Sequence, residues 1–171
     1  LQTRNLLKQL SEADGVSGYE TEVRELARQA FAQHVDEMRT DAMGNLIALK
    51  RGQSTDESAR RSIMLAGHMD EIGLLVTKLE KGFVRFATVG GFDLRVLPGQ
   101  EVKVHGGREL SGVIGMRPPH ILSQADRDKV VPLEWLFIDV GLPEAELSEQ
   151  VSVGDIITLH RPFTELAGGL V

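Results

Sequence analysis

The 171-residue sequence has no cysteine. This absence removes disulfides, thiolate metal sites and cysteine nucleophiles together, so any metal ion would have to be held by His, Asp and Glu. It also fits a reducing, cytoplasmic setting. Long apolar runs are missing too. No stretch approaches the roughly 18 residues of a membrane-spanning helix, and the opening "LQTRNLLKQLSEADG" lacks the basic-then-apolar order of a signal peptide. Cationic excess is likewise absent. Nineteen basic against 25 acidic residues give a net charge of -6, leaving no cluster to displace phosphate counterions and arguing against nucleic acid as a partner. There is no phosphate loop, G-x-G-x-x-G or H-E-x-x-H motif. "GVSGYE" lacks the second glycine of G-x-S-x-G, so Ser17 reads as a helix cap rather than a nucleophile. The one tryptophan, Trp135, lies in the apolar stretch "EWLFIDVG" and reads as packing rather than as a substrate platform. The chain opens on Leu1 instead of methionine, from which we expect a natural start upstream.

What is present is an ordinary globular composition. With 42% hydrophobic and 26% charged residues, the chain can bury one large core or two small ones. Leu6, Leu7 and Leu10 suggest a first helix. Val23, Leu26, Ala27, Ala30 and Phe31 follow the i, i+3, i+4, i+7, i+8 spacing of a second. A capping box of Ser17 and Glu20 would start it. "EMRTD" and "NLIALK" read as strands around "AMGN", where Gly44 and Asn45 can take positive φ. The polar stretch "RGQSTDESARR" reads as a solvated loop, and "SIMLAG" after it as a short buried strand.

Beyond residue 72 the texture becomes β-rich. "GLLVTKLEKGFVRFATVGG", "QEVKVHGGRELSGVIGM" and "EWLFIDVG" are short strands broken by glycine turns, in which Gly90 and Gly91 permit a turn or bulge. "LPEAELSEQ" offers a helix turn or two, and "VSVGDIITLHRPFTEL" reads as a closing strand pair. The expected organisation is an α/β beginning over 1–71, a barrel-like or sandwich-like module over 72–163, and a tail over 164–171.

The candidate chemistry lies in "GHMDEIG". In an extended segment residues two apart share a side, so His68 and Asp70 could act at one site. A neutral imidazole ligates zinc or cobalt, and a nearby carboxylate can fix its tautomer. The alternative is a hydrogen-bonded boundary histidine. Zinc wants about four donors, so this pair alone does not make a site. His34, His105 and His160 have no ligand-spaced partners and read as surface or boundary residues.

"DGVSGYE", "DAMGNLIA", "GHMDEIG", "GVIGMRPPH", "FIDVG" and "VSVGDIIT" occur in an order and spacing that resembles the glutamyl and deblocking aminopeptidases of metallopeptidase family 42. That family forms tetrahedral assemblies and is sometimes labelled endoglucanase or cellulase M. The resemblance implies a partial zinc-peptidase α/β domain interrupted, after the His-x-Asp strand, by a β-rich dimerisation and aperture domain. It implies His68 as the first metal ligand and Asp70 as the catalytic-site acidic residue that orients or polarises it, with no metal role for Glu71. His120, in "RPPH", matches a family Pro-Pro-His and is a candidate for a pore or active-site rim. The family's bridging Asp, Glu pair, further carboxylate and second His have no counterpart before Val171. We therefore expect an amino-terminal fragment of a dinuclear aminopeptidase, part of a homo-oligomer built from dimers into a dodecamer. The intact enzyme would use two divalent ions, zinc or cobalt, and take short peptides. The fragment is expected to hold no catalytic metal tightly and to be inactive alone. A non-catalytic assembly module and a related zinc deacylase or carboxypeptidase are the alternatives. The endoglucanase label has least support, because no opposed carboxylate pair stands out.

Overall fold

The computed structural model describes residues 2–54, 61–127 and 129–171. Most of the expected loop "RGQSTDESARR" therefore lies outside the described residues. The chain divides into two units, Leu1–Asp70 with Phe163–Val171, and Glu71–Pro162.

In the first unit, helix α1 spans Gln2–Glu12 and helix α2 spans Thr21–Phe31. Of the predicted α2 stripe, Val23 is buried while Phe31 is exposed. Strands β1 (Glu37–Thr40) and β2 (Leu46–Leu49) form an antiparallel hairpin. Its connection turns on Gly44, at φ 88°, and on the Asp41 carboxylate, which accepts from Met43 N and Asn45 N at 2.9 Å each. Asn45 needs no positive φ. Its side-chain amide instead donates to Asp41 at 2.9 Å, an Asx-type closure of the reversal. The tail is tied to α1: Phe163 N donates to Glu12 Oε1 at 2.9 Å, and Arg4 pairs with Glu165 at 3.3 Å.

Two expectations fail in this unit. "SIMLAG" is not a strand: residues 61–70 are irregular, and Ile63, Met64 and Leu65 are 87, 89 and 92% exposed. A buried strand requires ladder partners and a covering layer, and the described residues supply neither at this segment. Ser17 does not cap α2, which begins only at Thr21, with Glu20 at the N-cap making no side-chain cap bond. The Glu20 carboxylate bends back to accept from Gly18 N at 2.6 Å.

In the second unit, β3 (Gly73–Glu80), β4 (Phe83–Val89), β5 (Glu101–His105), β6 (Glu109–Gly115), β7 (Phe137–Asp139) and β8 (Ile156–Leu159) close a barrel in the order β3-β4-β7-β6-β5-β8. Every pairing is antiparallel. A one-turn helix α3 (Gln124–Arg127) and helix α4 (Glu144–Gln150) lie in the connections. Period-two alternation sets the inside: in β6, Leu110, Gly112 and Ile114 are buried while Glu109, Ser111 and Val113 are exposed. Leu74, Val76, Val84, Val102, Val104, Ile138 and Ile157 complete an aliphatic core.

Lys81 and Gly82, at φ 53° and 82°, make the two-residue β3–β4 reversal, as a type I′ hairpin demands. Gly112 is required by space: a Cβ there would sit 2.8 Å from the Ile138 Cγ2 and 3.0 Å from the Val140 Cγ1. Phe83 and Phe137 meet edge to face, with centroids 4.7 Å apart. The closing segment forms one strand instead of the expected pair, because residues up to Asp155 are taken by a turn in which Asp155 N donates to Ser152 O. Trp135 lies in the 3-10 turn Leu133–Trp135 before β7, not within a strand, and Arg117 stands 5.6 Å over its ring. Among the described residues no helix is long and apolar enough to cross a membrane.

Candidate metal-ligand site

The site is built on the irregular segment that precedes the barrel unit. His68 and Asp70, two residues apart, do meet. The His68 Nδ1 lies 2.9 Å from the Asp70 carbonyl oxygen and 3.1 Å from its Oδ1. A carbonyl can only accept, so Nδ1 must carry the proton in this geometry. In the neutral ring Nε2 then bears the lone pair, the tautomer a metal ligand needs. The His68 side chain is 86% exposed, so that lone pair is accessible.

Asp70 is held in turn by a residue from the other side of the unit. The Ser17 hydroxyl donates a hydrogen bond to Asp70 Oδ2. The loop before α2 packs closely here: a Cβ on Gly15 would lie 3.1 Å from Val23 Cγ1, a tight approach, and 3.6 Å from the Met69 carbonyl oxygen, an ordinary contact. Gly18, at φ 91°, then turns the chain away into α2. The Ser17 bond holds the Asp70 carboxyl below the ordinary carboxylate range, outweighing the opposing effect of desolvation, with a lesser contribution from the contact with His68. Glu20, Met43, Asn45, Leu46, His68 and Asp70 line an open cavity of about 200 Å³.

As a donor set this arrangement fits part of a divalent-metal site. It offers one correctly protonated imidazole, oriented by a carboxylate whose two oxygens are both engaged, against the roughly four donors a zinc ion takes. The remaining sequence candidates do not join it. Glu71 belongs to the barrel unit and is exposed. His34, His120 and His160 are exposed. The His105 Nε2 lies 2.9 Å from the hydroxyl of buried Thr158 inside the barrel unit. Sequence reasoning missed Ser17 as a member of the site. Fifty-three residues separate it from Asp70, and its local signature is that of a cap.

A family profile described as M42 glutamyl aminopeptidase matches residues 44–171, and a second described as AMPT matches residues 2–26. The lysyl aminopeptidase of Pyrococcus furiosus is 32% identical over 169 residues, covering 95% of this chain and 47% of the relative. The crystal structure of a TET aminopeptidase from a marine-sediment Thaumarchaeota archaeon superposes with a TM-score of 0.90 at 35% identity, covering 98% of this chain and 46% of that one. The Pyrococcus horikoshii TET1 peptidase, described as able to assemble into a tetrahedron or a large octahedral shell, gives 0.80 at 37% identity, covering 96% and 48%. The chain thus spans about half the length of the relatives it matches.

Proposed function

Because the chain belongs to the M42 glutamyl aminopeptidase family, we propose that it supplies the first metal ligand and the barrel module of a dinuclear aminopeptidase that removes amino-terminal residues from short peptides. The observation that carries this reading is the exposed His68 ring, with Nδ1 donating to Asp70 and Nε2 available as a ligand. Two divalent ions, zinc or cobalt, would supply a water of lowered pKa and polarisation of the peptide carbonyl. In this reading His68 holds one ion through Nε2. Asp70 keeps the proton on Nδ1 and adds electron density to the ring across that hydrogen bond.

One imidazole leaves the ion short of donors, so further ligands and a general base have to come from chain of the kind that makes up the other half of the relatives. The exposed run Ile63–Met64–Leu65 supports this. Three consecutive large apolar side chains in water suit a strand that gains neighbours and cover when such chain is present. The 171-residue chain alone is then expected to release no amino acid from aminoacyl-anilide substrates with added zinc or cobalt. A protein that also carries the relatives' second half should turn them over. Turnover by the 171-residue chain would overturn the division of labour. Inactivity of the longer protein would overturn the peptidase reading.

A second element of the proposal concerns assembly. TET1's description as a tetrahedral or octahedral shell supports a homo-oligomer here, in which the barrel unit pairs two subunits into the building block of a dodecamer. The cysteine-free composition supports a cytoplasmic location. Light scattering of the longer protein checks the assembly: a monomeric mass would contradict it.

A further inference from the structure

From the Ser17–Asp70–His68 chain of contacts we infer that Ser17 is a positioning residue, whose hydroxyl fixes the Asp70 carboxylate against the His68 ring, reinforcing the Nδ1–H tautomer that the Asp70 carbonyl already favours and leaving the lone pair on Nε2. The inference deepens the aminopeptidase reading and rests on it for its functional meaning, but the geometry stands without it.

A free aspartate side chain turns about χ1 and χ2, and either oxygen can face the ring or water. Here the two oxygens have separate tasks. Oδ2 accepts from Ser17 and Oδ1 faces His68 Nδ1. Asp70 is only partly buried, its side chain 39% exposed, so packing alone does not hold it. The restraint comes from the hydroxyl. Ser17 in turn has little choice of place. Its loop passes close to the Met69 carbonyl at Gly15, and Tyr19 N donates to Val16 O at 2.7 Å, closing the turn that carries Ser17. Val16 beside it is fully buried and anchors the loop. A serine that merely capped α2 would donate or accept within the loop. This one spends its hydroxyl on a carboxylate 53 residues away.

The test needs neither metal nor activity. Two-bond proton–nitrogen correlation spectra of the His68 ring, recorded near pH 8.5 where free imidazole is neutral, report the tautomer directly. Wild type should give a single Nδ1–H signature. Ser17→Ala should keep the Nδ1–H tautomer, which the Asp70 carbonyl still favours, but shift the Nδ1 resonance as the carboxylate contact loosens, and Ser17→Thr, which keeps the hydroxyl, should restore the wild-type signature. In an Asp70→Ala background Ser17→Ala should change nothing further, since its effect travels through Asp70. An unchanged His68 signature in Ser17→Ala would overturn the inference, and so would a further shift in the Asp70→Ala background. Retained dispersion of the Val16 and Val23 methyl signals, both buried in the unit that carries the substitutions, shows that each variant is folded. Failure of the longer protein to hydrolyse peptides would leave these spectra untouched, so the two readings fail separately.

Discussion

Replacing Ile114 by alanine tests whether the barrel is held by the inward row of β6. Ile114 is 1% exposed and sits opposite Ile138 of the three-residue strand β7. The substitution removes three carbons, worth about 0.8 kcal/mol each by transfer, and leaves a cavity that short, doubly paired strands close poorly. We expect a total loss of about 2 to 5 kcal/mol. For a unit of roughly 90 residues this lowers the melting temperature by roughly 10 to 20 °C or more. Val113, next in sequence but outward and exposed, is the internal control: Val113→Ala should stay within about 0.5 kcal/mol. Urea titration followed by tryptophan fluorescence reads the barrel selectively, because the only tryptophan, Trp135, lies in the turn leading into β7. Equal losses for the two variants, or a loss below about 1 kcal/mol for Ile114→Ala, would refute the claim that alternation in β6 defines the core.

The Asp93 carboxyl is lowered to about 2, chiefly by the Arg95 side chain and then by the Arg95 backbone N–H. A carboxylate depressed in the folded state contributes stability above its unfolded value, about 3.9, and loses it as pH falls toward 2. Arg95→Ala should raise the Asp93 midpoint in a carbon-detected titration without restoring the unfolded value, because the backbone donor remains; an unmoved midpoint would contradict the assignment. Leu65→Ser should change the stability of the 171-residue chain by less than about 0.5 kcal/mol, since the side chain is 92% exposed. In the longer protein the same substitution should cost several times more, as read by thermal unfolding.

Much of this architecture could be read from residue order. The helix period of Val23 to Phe31, the β1–β2 reversal and the glycine-punctuated hairpins of the barrel are local signals, set by neighbours within a few residues. The meeting of His68 and Asp70 was also legible, because an i, i+2 pair needs only a roughly extended backbone. Features that depend on distant chain were not. "SIMLAG" carries the apolar run of a strand, but a run says nothing about whether partners stand beside it. Ser17 has the sequence context of a cap, yet a carboxylate from far along the chain competes successfully for its proton. Asn45 looks suited to a positive φ, and the Asp41 carboxylate makes that conformation unnecessary. The strand pair expected near the end became one strand because the barrel had a single gap left, between β3 and β5, and β8 fills it.

That last strand completes the ring of main-chain bonds, and the ring has a bearing on how copies of the chain could recognise one another. With β8 bonded to both β3 and β5, those two strands keep a neighbour on each side, and the ladder is thin only beside the three-residue β7, which meets β4 at Val84 and β6 at Val113–Gly115. Recognition through this unit can then draw on side chains, on loops and on the stretches of β4 and β6 that run past β7. It can be tuned, or erased, one residue at a time.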